Sequence, residues 1–209
     1  MRQNFAAVIL LVRHGQTTSN VENLFVGRGD PMLTELGQRQ ARSLSPFLTN
    51  VREVWCSPLT RALDTAGLCL PGMIPTVKES FIEQDFGDLE GTPVSNVSRE
   101  EWDRFLSDSS VGLGGGESID DVDARVYREL NGQLADPASL LHSPDEHLLV
   151  VSHVSPIKSA MTWALGVSGT VAWRTRLDNC SITAITSRRG QPSLVHFNLV
   201  PHENFSLAR

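Results

Sequence analysis

Residues 6–20 read AAVILLVRHGQTTSN, an apolar run that ends in an arginine, a histidine and a glycine. The seven apolar residues from Ala6 to Val12 are typical of a strand that is buried on both faces of a parallel sheet. Open α/β sheets bind their ligands at the carboxyl ends of such strands. Arg13 and His14 stand at that end, where a guanidinium can grip phosphate oxygens and an imidazole can act as a nucleophile. This stretch predicts an α/β fold with an anion site after its first strand.

A second junction of the same kind lies in residues 51–61. A short strand predicted over 51–56 runs into Ser57-Pro58. Serine is a favoured helix N-cap and proline a favoured first helical residue, so this pair predicts that a helix begins there. Arg61 then falls in the first helical turn and points back toward the carboxyl end of the strand.

A third junction follows the strand predicted over 148–151. His153 stands in the turn, and Ser155-Pro156 predicts the N-cap and first residue of a helix that runs to Gly166. A helix N-terminus favours an anion through its free N–H groups and its dipole. If the three strands are parallel neighbours, the cations and imidazoles of all three junctions converge on one crevice.

The rest of the chain completes a single domain over residues 1–209, since this length can bury one sizeable core. Further elements are predicted as helices after Thr34, over 97–107 and over 119–134, and as a closing hairpin of strands 181–186 and 193–200. Residues 136–147 are predicted to be a surface loop and 201–209 a loosely held tail. The glycine-rich segment 112–116 lacks a preceding strand and the G-x-G-x-x-G spacing, so we interpret it as a mobile rim over the site rather than a dinucleotide loop.

Composition narrows the function classes. A net charge of −6 argues against nucleic acid or an anionic membrane as the main partner, because both require a basic face. No stretch approaches the ~20 apolar residues of a membrane span, and the apolar run near the N-terminus is too short for a secretory leader. The three cysteines, Cys56, Cys69 and Cys180, have no close pairing and fit a reducing compartment. We therefore expect a cytoplasmic protein.

Two other kinds of catalytic site are disfavoured. The sequence has no H-x-x-x-H, H-E-x-x-H or C-x-x-C spacing, so we predict no bound metal and no cofactor. It also has no G-x-S-x-G elbow, which argues against a serine hydrolase.

Taken in chain order, several segments resemble the motifs of the histidine phosphatase superfamily, which also contains the cofactor-dependent phosphoglycerate mutases. The matching segments are Arg13-His14-Gly15 with Thr17 and Asn20, Ser57-Pro58-Leu59 with Arg61, Phe81-Ile82-Glu83, Gly116-Glu117-Ser118 and Val151-Ser152-His153. They span nearly the whole chain. The resemblance implies a phosphoglycerate mutase-like fold, a three-layer α/β/α sandwich around a mostly parallel sheet.

The resemblance also implies roles for single residues. His14 would attack phosphorus, Glu83 would act as general acid, and His153 would complete the catalytic set. Arg13 and Arg61 would bind phosphate and, together with His153, supply the positive charge that phosphoryl transfer needs. The phosphate cradle is expected to include Asn20, Thr17 and the backbone amides near Gly27 and Val154, and Arg28 is the candidate for substrate specificity. Val154 replaces the glycine that the family commonly has after its second histidine, which narrows the crevice.

The expected activity is hydrolysis of a small phosphorylated metabolite through a phosphohistidine, with release of inorganic phosphate. One alternative is a phosphoglycerate mutase. That activity needs further basic residues, whereas the cations between Glu90 and Glu117 are Arg99 and Arg104 alone. Leu89-Glu90-Gly91 also resembles the corresponding segment of the phosphatases in this superfamily rather than that of the mutases.

The other alternative is a non-catalytic module that binds a phosphorylated ligand. Such a module would be expected to have lost His14, an arginine or Glu83, and none is lost. The turn after His153 resembles phosphatases related to the α-ribazole phosphate enzyme, so a phosphorylated nucleoside or sugar is the first substrate to test. The oligomeric state stays open.

Overall fold

A six-stranded mixed sheet runs through the molecule, for which the computed structural model describes residues 8–136, 138–139 and 146–201. The strands are β1 (Val8–Arg13), β2 (Val51–Cys56), β3 (Thr76–Val77), β4 (His147–Ser152), β5 (Ile182–Arg188) and β6 (Gln191–Leu199), in the spatial order β3-β2-β4-β1-β5-β6. The first four strands in that order pair in parallel, and β5 and β6 are antiparallel to their neighbours. The mostly parallel sheet predicted from the sequence is confirmed.

The register between the two central strands, β1 and β4, determines which residues leave the sheet side by side. β1 and β4 pair in parallel, with Leu11 opposite Val150 and Arg13 opposite Ser152. Their side chains are buried on both faces of the sheet, with Leu11 and Val150 in one apolar cluster and Val12 and Val151 in the other, which explains the continuous apolar sequences of both strands. Because β2 is the next parallel neighbour of β4, the three predicted junctions do open at one edge of the sheet.

Helices cover both faces of this sheet. They are α1 (Thr18–Glu22), α2 (Glu35–Ser43), α3 (Thr60–Cys69), α4 (Arg99–Ser107), α5 (Ile119–Ala135) and α6 (Val154–Leu165). On one face α2 and α3 pack against the sheet through Ala41, Leu44, Ala62 and Ala66. On the other face α5 and α6 do so through residues such as Val126 and Ile157. The three-layer α/β/α sandwich is therefore confirmed.

A third apolar cluster lies apart from the two faces of the sheet and includes Phe25, Phe86, Phe105 and Leu113. Leu113 is fully buried there, within the glycine-rich segment. A Cβ on Gly87 would lie 2.2 Å from the carbonyl oxygen of Gly114, so the two turns are in direct backbone contact. The prediction of a mobile rim is wrong, because the segment is a packed turn anchored by Leu113.

Two predicted helix starts are also wrong. Helix α3 begins at Thr60 rather than at Pro58, and the Asp30 carboxylate accepts the N–H of Thr60 at 2.9 Å. Helix α6 begins earlier than expected, with His153 as its N-cap. The short helix α1 was not predicted, although Thr17 caps it.

The other predicted elements have the expected type. Thr34 caps α2, and α6 ends with Gly166 as a left-handed cap. The closing hairpin forms between β5 and β6. The three cysteines are free and buried. The predicted loop over 136–147 lies partly, and the tail after Pro201 entirely, outside the described residues.

No helix in the described part of the chain combines the length and the apolar character needed to cross a bilayer.

The loop after β1 rests directly on the first turn of α2. A Cβ on Gly15 would lie 2.5 Å from the carbonyl oxygen of Gly37, and a Cβ on Gly37 would lie 2.1 Å from that of Gln16. Both distances are shorter than real Cβ contacts, so each glycine is required by the close approach of the two backbones. This contact fixes the loop that carries His14.

We expect Gly37→Ala to destabilise the fold by about 1–3 kcal/mol, because the new methyl group must displace the backbone of the His14 loop. Gly67→Ala is the matched control, since Gly67 lies in α3 at a position where a new methyl group would meet no other part of the described chain within 4 Å. That change should raise the free energy of unfolding by up to about 1 kcal/mol. Urea denaturation measures both, and equal stability of Gly37→Ala and the wild type would contradict the packing argument.

Candidate active site

His14 lies at the carboxyl end of β1, where its backbone N–H donates to the Ser152 carbonyl at 2.9 Å. Its ring is 4% exposed, and ring atom Nδ1 lies 2.8 Å from the Gly15 carbonyl oxygen. Because a carbonyl oxygen can only accept, we assign the ring proton to Nδ1. Nε2 then keeps its lone pair, and it makes no hydrogen bond within the described residues.

Burial lowers the pKa of His14 well below its ordinary value, and the nearby Arg13 and Arg61 guanidiniums lower it further. The imidazole is therefore neutral at pH 7, as a nucleophilic nitrogen must be.

Arg61 is 1% exposed and is held by the loop that precedes α2. Its guanidinium donates to the carbonyl oxygens of Gly29 at 2.6 Å and Gly27 at 3.0 Å. Asp30 lies 3.8 Å from the same group and also accepts the Arg61 backbone N–H at 3.4 Å. Burial lowers the pKa of Arg61, yet an arginine remains charged at pH 7. The loop therefore holds a fixed cation at the sheet edge.

Arg13 supplies a second guanidinium. It donates to the Leu177 carbonyl oxygen at 2.6 Å, while its Nε is buried and has no hydrogen-bond partner among the described residues. Burial lowers the pKa of Arg13, and the charge of Glu83 opposes this shift. One N–H of Arg13 thus remains available to a ligand.

Glu83 is 4% exposed and lies at the N-terminus of α6. Its Oε1 accepts the backbone N–H groups of Gln84 at 2.9 Å and Ser155 at 3.0 Å, and its Oε2 accepts that of Val154 at 3.0 Å. These contacts fix the carboxyl group beside His153. Oε2 accepts one hydrogen bond, so its second lone pair is the position where a proton can reside.

His153 completes the group. Its ring is fully buried, and its centroid lies 5.1 Å from that of the His14 ring. Burial lowers the pKa of His153 well below its ordinary value, with Arg61 and His14 acting in the same direction. In this structure His153 is therefore neutral, which corrects the expectation that it supplies positive charge alongside the two arginines.

The outer residues predicted for the phosphate cradle are already hydrogen-bonded within the protein. Thr17 and Asn20 form the capping box of α1, in which each side chain accepts the backbone N–H of the other. The Gly27 N–H donates to Glu90 at 2.9 Å, and the Val154 N–H donates to Glu83. In the structure the backbone N–H groups of these four residues are therefore engaged by other groups of the protein.

Arg28, the candidate for specificity, is part of a charge network. It donates to Glu117 at 3.0 Å and lies 4.0 Å from Asp85. Glu117 also accepts from Arg125 of α5 at 3.1 Å, and Arg125 reaches the Glu83 carbonyl at 3.3 Å. Sequence reasoning missed Arg125, because one arginine in an amphipathic helix carries no motif. Glu117 stood within a matched segment without an assigned role.

No group of three His, Cys, Asp or Glu side chains within residues 8–136, 138–139 and 146–201 is arranged to hold a metal ion.

The arrangement suits a tetrahedral oxyanion. Two guanidiniums act on the His14 ring, the buried His153 ring lies 5.1 Å from it between centroids, and a carboxyl group stands at the neighbouring helix N-terminus. Such preorganised donors stabilise the charge that spreads over the oxygens of a phosphoryl group in transfer.

Comparison with known proteins agrees with this geometry. Residues 9–200 match the family model described as "Histidine phosphatase superfamily (branch 1)". The bifunctional protein Rv2228c of Mycobacterium tuberculosis is 34% identical over 183 residues, which cover 84% of this chain and 49% of that protein. This chain thus spans about half the length of those curated relatives.

A relative of more similar length and a solved structure complete the comparison. The probable phosphoglycerate mutase GpmB of Cronobacter sakazakii is 31% identical over 185 residues, covering 85% of this chain and 83% of that protein. The mycobacterial glucosyl-3-phosphoglycerate phosphatase Rv2419c, solved with VO3, superposes with a TM-score of 0.83 at 25% identity. This match covers 93% of this chain and 100% of that chain.

The two buried histidines should make stability depend on pH. In the unfolded chain a histidine binds a proton near pH 6.5, whereas the folded-state pKa values of His14 and His153 lie well below that. The unfolded chain therefore binds more protons as the pH falls below about 6.5, and the free energy of unfolding decreases. Each histidine contributes up to about 1.4 kcal/mol per pH unit.

Urea denaturation at several values between pH 7.5 and 5.5 measures this loss. In the double variant His14→Gln/His153→Gln the free energy of unfolding should depend much less on pH. Replacement of the exposed His196 by Gln should give the same pH dependence as in the wild type. A wild-type stability that does not change below pH 6.5 would contradict the assignment of neutral rings.

Proposed function

Because this chain belongs to the histidine phosphatase superfamily, we propose that it hydrolyses phosphomonoesters through a phosphohistidine formed on Nε2 of His14. The observation that carries the proposal is the fixed tautomer of His14. Its Nδ1–H is held by the Gly15 carbonyl, so the free lone pair of the neutral ring is on Nε2, and two nearby guanidiniums help to lower the pKa of this ring.

In the first step Nε2 of His14 attacks phosphorus. The N–P bond forms while the bond from phosphorus to the ester oxygen breaks, and Arg13 and Arg61 neutralise the phosphoryl oxygens. Glu83 gives its proton to the departing oxygen, so the product is an alcohol. For this step Glu83 must carry its proton when the monoester is bound.

In the second step water attacks the phosphohistidine. The N–P bond breaks and its electron pair returns to Nε2, while Glu83 takes a proton from the attacking water. Inorganic phosphate leaves, and both His14 and Glu83 regain their starting states. The substrate, one water molecule and the side chains of His14 and Glu83 account for every bond and proton in the two steps.

The charges around the site favour a substrate whose remainder is neutral. Arg28 flanks the loop that holds Arg61, but its guanidinium is paired with Glu117 and Asp85. A second anionic group on the substrate would have to displace these carboxylates. A phosphoglycerate mutase must hold a carboxylate as well as phosphate, so this network also argues against mutase activity. A phosphorylated sugar or nucleoside satisfies the constraint.

The intermediate can be trapped directly. After rapid acid-free quenching of a reaction with a ³²P-labelled monoester, the wild type should carry acid-labile phosphate, and His14→Ala should carry none. His196→Ala is the matched control and should be labelled like the wild type, since His196 lies on β6 with an exposed side chain. Label that persists in His14→Ala would refute the assigned nucleophile, and no label with any monoester would favour a non-catalytic binding module.

The substrate argument can be tested with a matched pair of esters. Glycerol 3-phosphate has a hydroxymethyl group at the position where 3-phosphoglycerate has a carboxylate. We expect kcat/KM to be about tenfold higher for glycerol 3-phosphate, which corresponds to about 1.4 kcal/mol of activation free energy. Incubation of 3-phosphoglycerate with a bisphosphoglycerate primer should release phosphate. Rapid isomerisation without phosphate release would establish a mutase instead.

A further inference from the structure

Ser57 makes a contact that its sequence position did not suggest. The Ser57 hydroxyl oxygen lies 2.6 Å from Nε2 of His153, and both residues are fully buried. The pattern Ser57-Pro58 predicted a helix N-cap, but α3 begins at Thr60. The serine therefore serves the site rather than the helix.

The backbone fixes the direction of this hydroxyl. The Ser57 N–H donates to the Val151 carbonyl at 3.0 Å, which ties the residue to the end of β4. The Leu59 N–H donates to the Ser57 hydroxyl oxygen at 3.3 Å. The hydroxyl oxygen can accept a second hydrogen bond beside that from Leu59, so the acceptor available to the hydroxyl hydrogen decides the direction. Nε2 of His153 is the acceptor within hydrogen-bond distance of this buried hydroxyl in the described chain, so the hydroxyl donates and Nε2 accepts.

This hydrogen bond also fixes the protonation state of the other ring nitrogen of His153, Nδ1. A neutral imidazole carries one proton, so a ring that accepts at Nε2 must carry its proton on Nδ1. Nδ1 is buried and has no hydrogen-bond partner among the described residues. The charged and titratable groups that act on this ring are Arg61, His14, Arg13 and Arg125. The guanidiniums of Arg13 and Arg61 act on the same ring, so an oxyanion that these cations attract is a partner that suits the buried Nδ1–H.

We propose that Ser57 is a positioning residue that holds His153 in the Nδ1–H tautomer and thereby directs a neutral donor at a phosphoryl oxygen. The kinetic consequence of this inference rests on the proposed phosphatase function. Its structural part, the tautomer of His153 in the free protein, is independent of any substrate.

The tautomer can be measured without catalysis. In protein labelled with ¹⁵N-histidine, two-bond ¹H–¹⁵N correlation spectra distinguish a protonated nitrogen from an accepting one. The His153 signals are identified by their loss in His153→Gln. We expect a protonated Nδ1 and an accepting Nε2 in the wild type, and a shift of the proton toward Nε2 in Ser57→Ala. A wild-type ring protonated on Nε2 would overturn the proposal whether or not the protein is a phosphatase.

Kinetics test the consequence. Removal of a hydrogen bond that orients a donor to a charged oxygen should lower kcat/KM for p-nitrophenyl phosphate about tenfold in Ser57→Ala and weaken inhibition by inorganic phosphate by a similar factor. Ser57→Thr keeps the hydroxyl and should recover much of the activity. Ser181→Ala is the matched control, because Ser181 is also fully buried but its hydroxyl has no partner in the described chain.

The outcomes separate the inference from the proposed function. An active wild type with an unchanged kcat/KM and unchanged phosphate inhibition in Ser57→Ala would overturn the role of Ser57 and leave the phosphatase intact. A wild type that hydrolyses no monoester would refute the proposed function, while the spectra would still decide the tautomer. Equal losses in Ser57→Ala and Ser181→Ala would show a general packing effect and would also overturn the role.

Discussion

The parallel pairing of β1 with β4 is the constraint on which the site depends. It sets Arg13 opposite Ser152, so the residues that follow, His14 and His153, leave the sheet side by side. Their ring centroids are 5.1 Å apart although 139 positions separate them in the chain. A slip of one residue in this register would turn one of the two rings to the opposite face. The continuous apolar sequences of both strands, buried between two layers of helices, prevent such a slip.

A local concentration of positive charge is maintained in an acidic protein by backbone oxygens rather than by buried carboxylates. Arg61 donates to two loop carbonyls, with the partly exposed Asp30 carboxylate 3.8 Å away, and Arg13 donates to the Leu177 carbonyl. Carbonyl dipoles orient a cation without cancelling its charge, which remains available to an anion. The two cations also help keep both imidazoles neutral. Around this centre, the carboxylates of Glu90 and Glu117 bind the surrounding loops and Arg28 instead.

The strands and the junction residues Arg13, His14, Arg61 and His153 could be predicted from local patterns at a sheet edge, whereas the three-layer sandwich and the role of Glu83 came from the resemblance to the superfamily. Two of the errors share a physical cause, which is that a tertiary contact outcompeted a local preference. Ser57 was expected to cap α3, but its hydroxyl is engaged by His153, and the carboxylate of Asp30 accepts the N–H groups of that helix instead. The glycine-rich segment was expected to move, but Leu113 anchors it. The pairing of Arg125 with Glu117 has no local signal.

The hydrogen bonds of the site also explain why it suits one kind of ligand. The side chains that frame it are mostly satisfied within the protein, including the carboxyl group of Glu83 with its three backbone donors. The exceptions are Nε of Arg13 and Nδ1 of His153, two buried atoms without a partner in the described chain, and Nε2 of His14. Leaving buried donors unpaired costs about 1–3 kcal/mol each, so a ligand that pairs them recovers that energy. Two unpaired buried N–H groups beside a neutral imidazole with a free lone pair suit a ligand with several acceptor oxygens around an electrophilic centre, and a phosphoryl group meets this description.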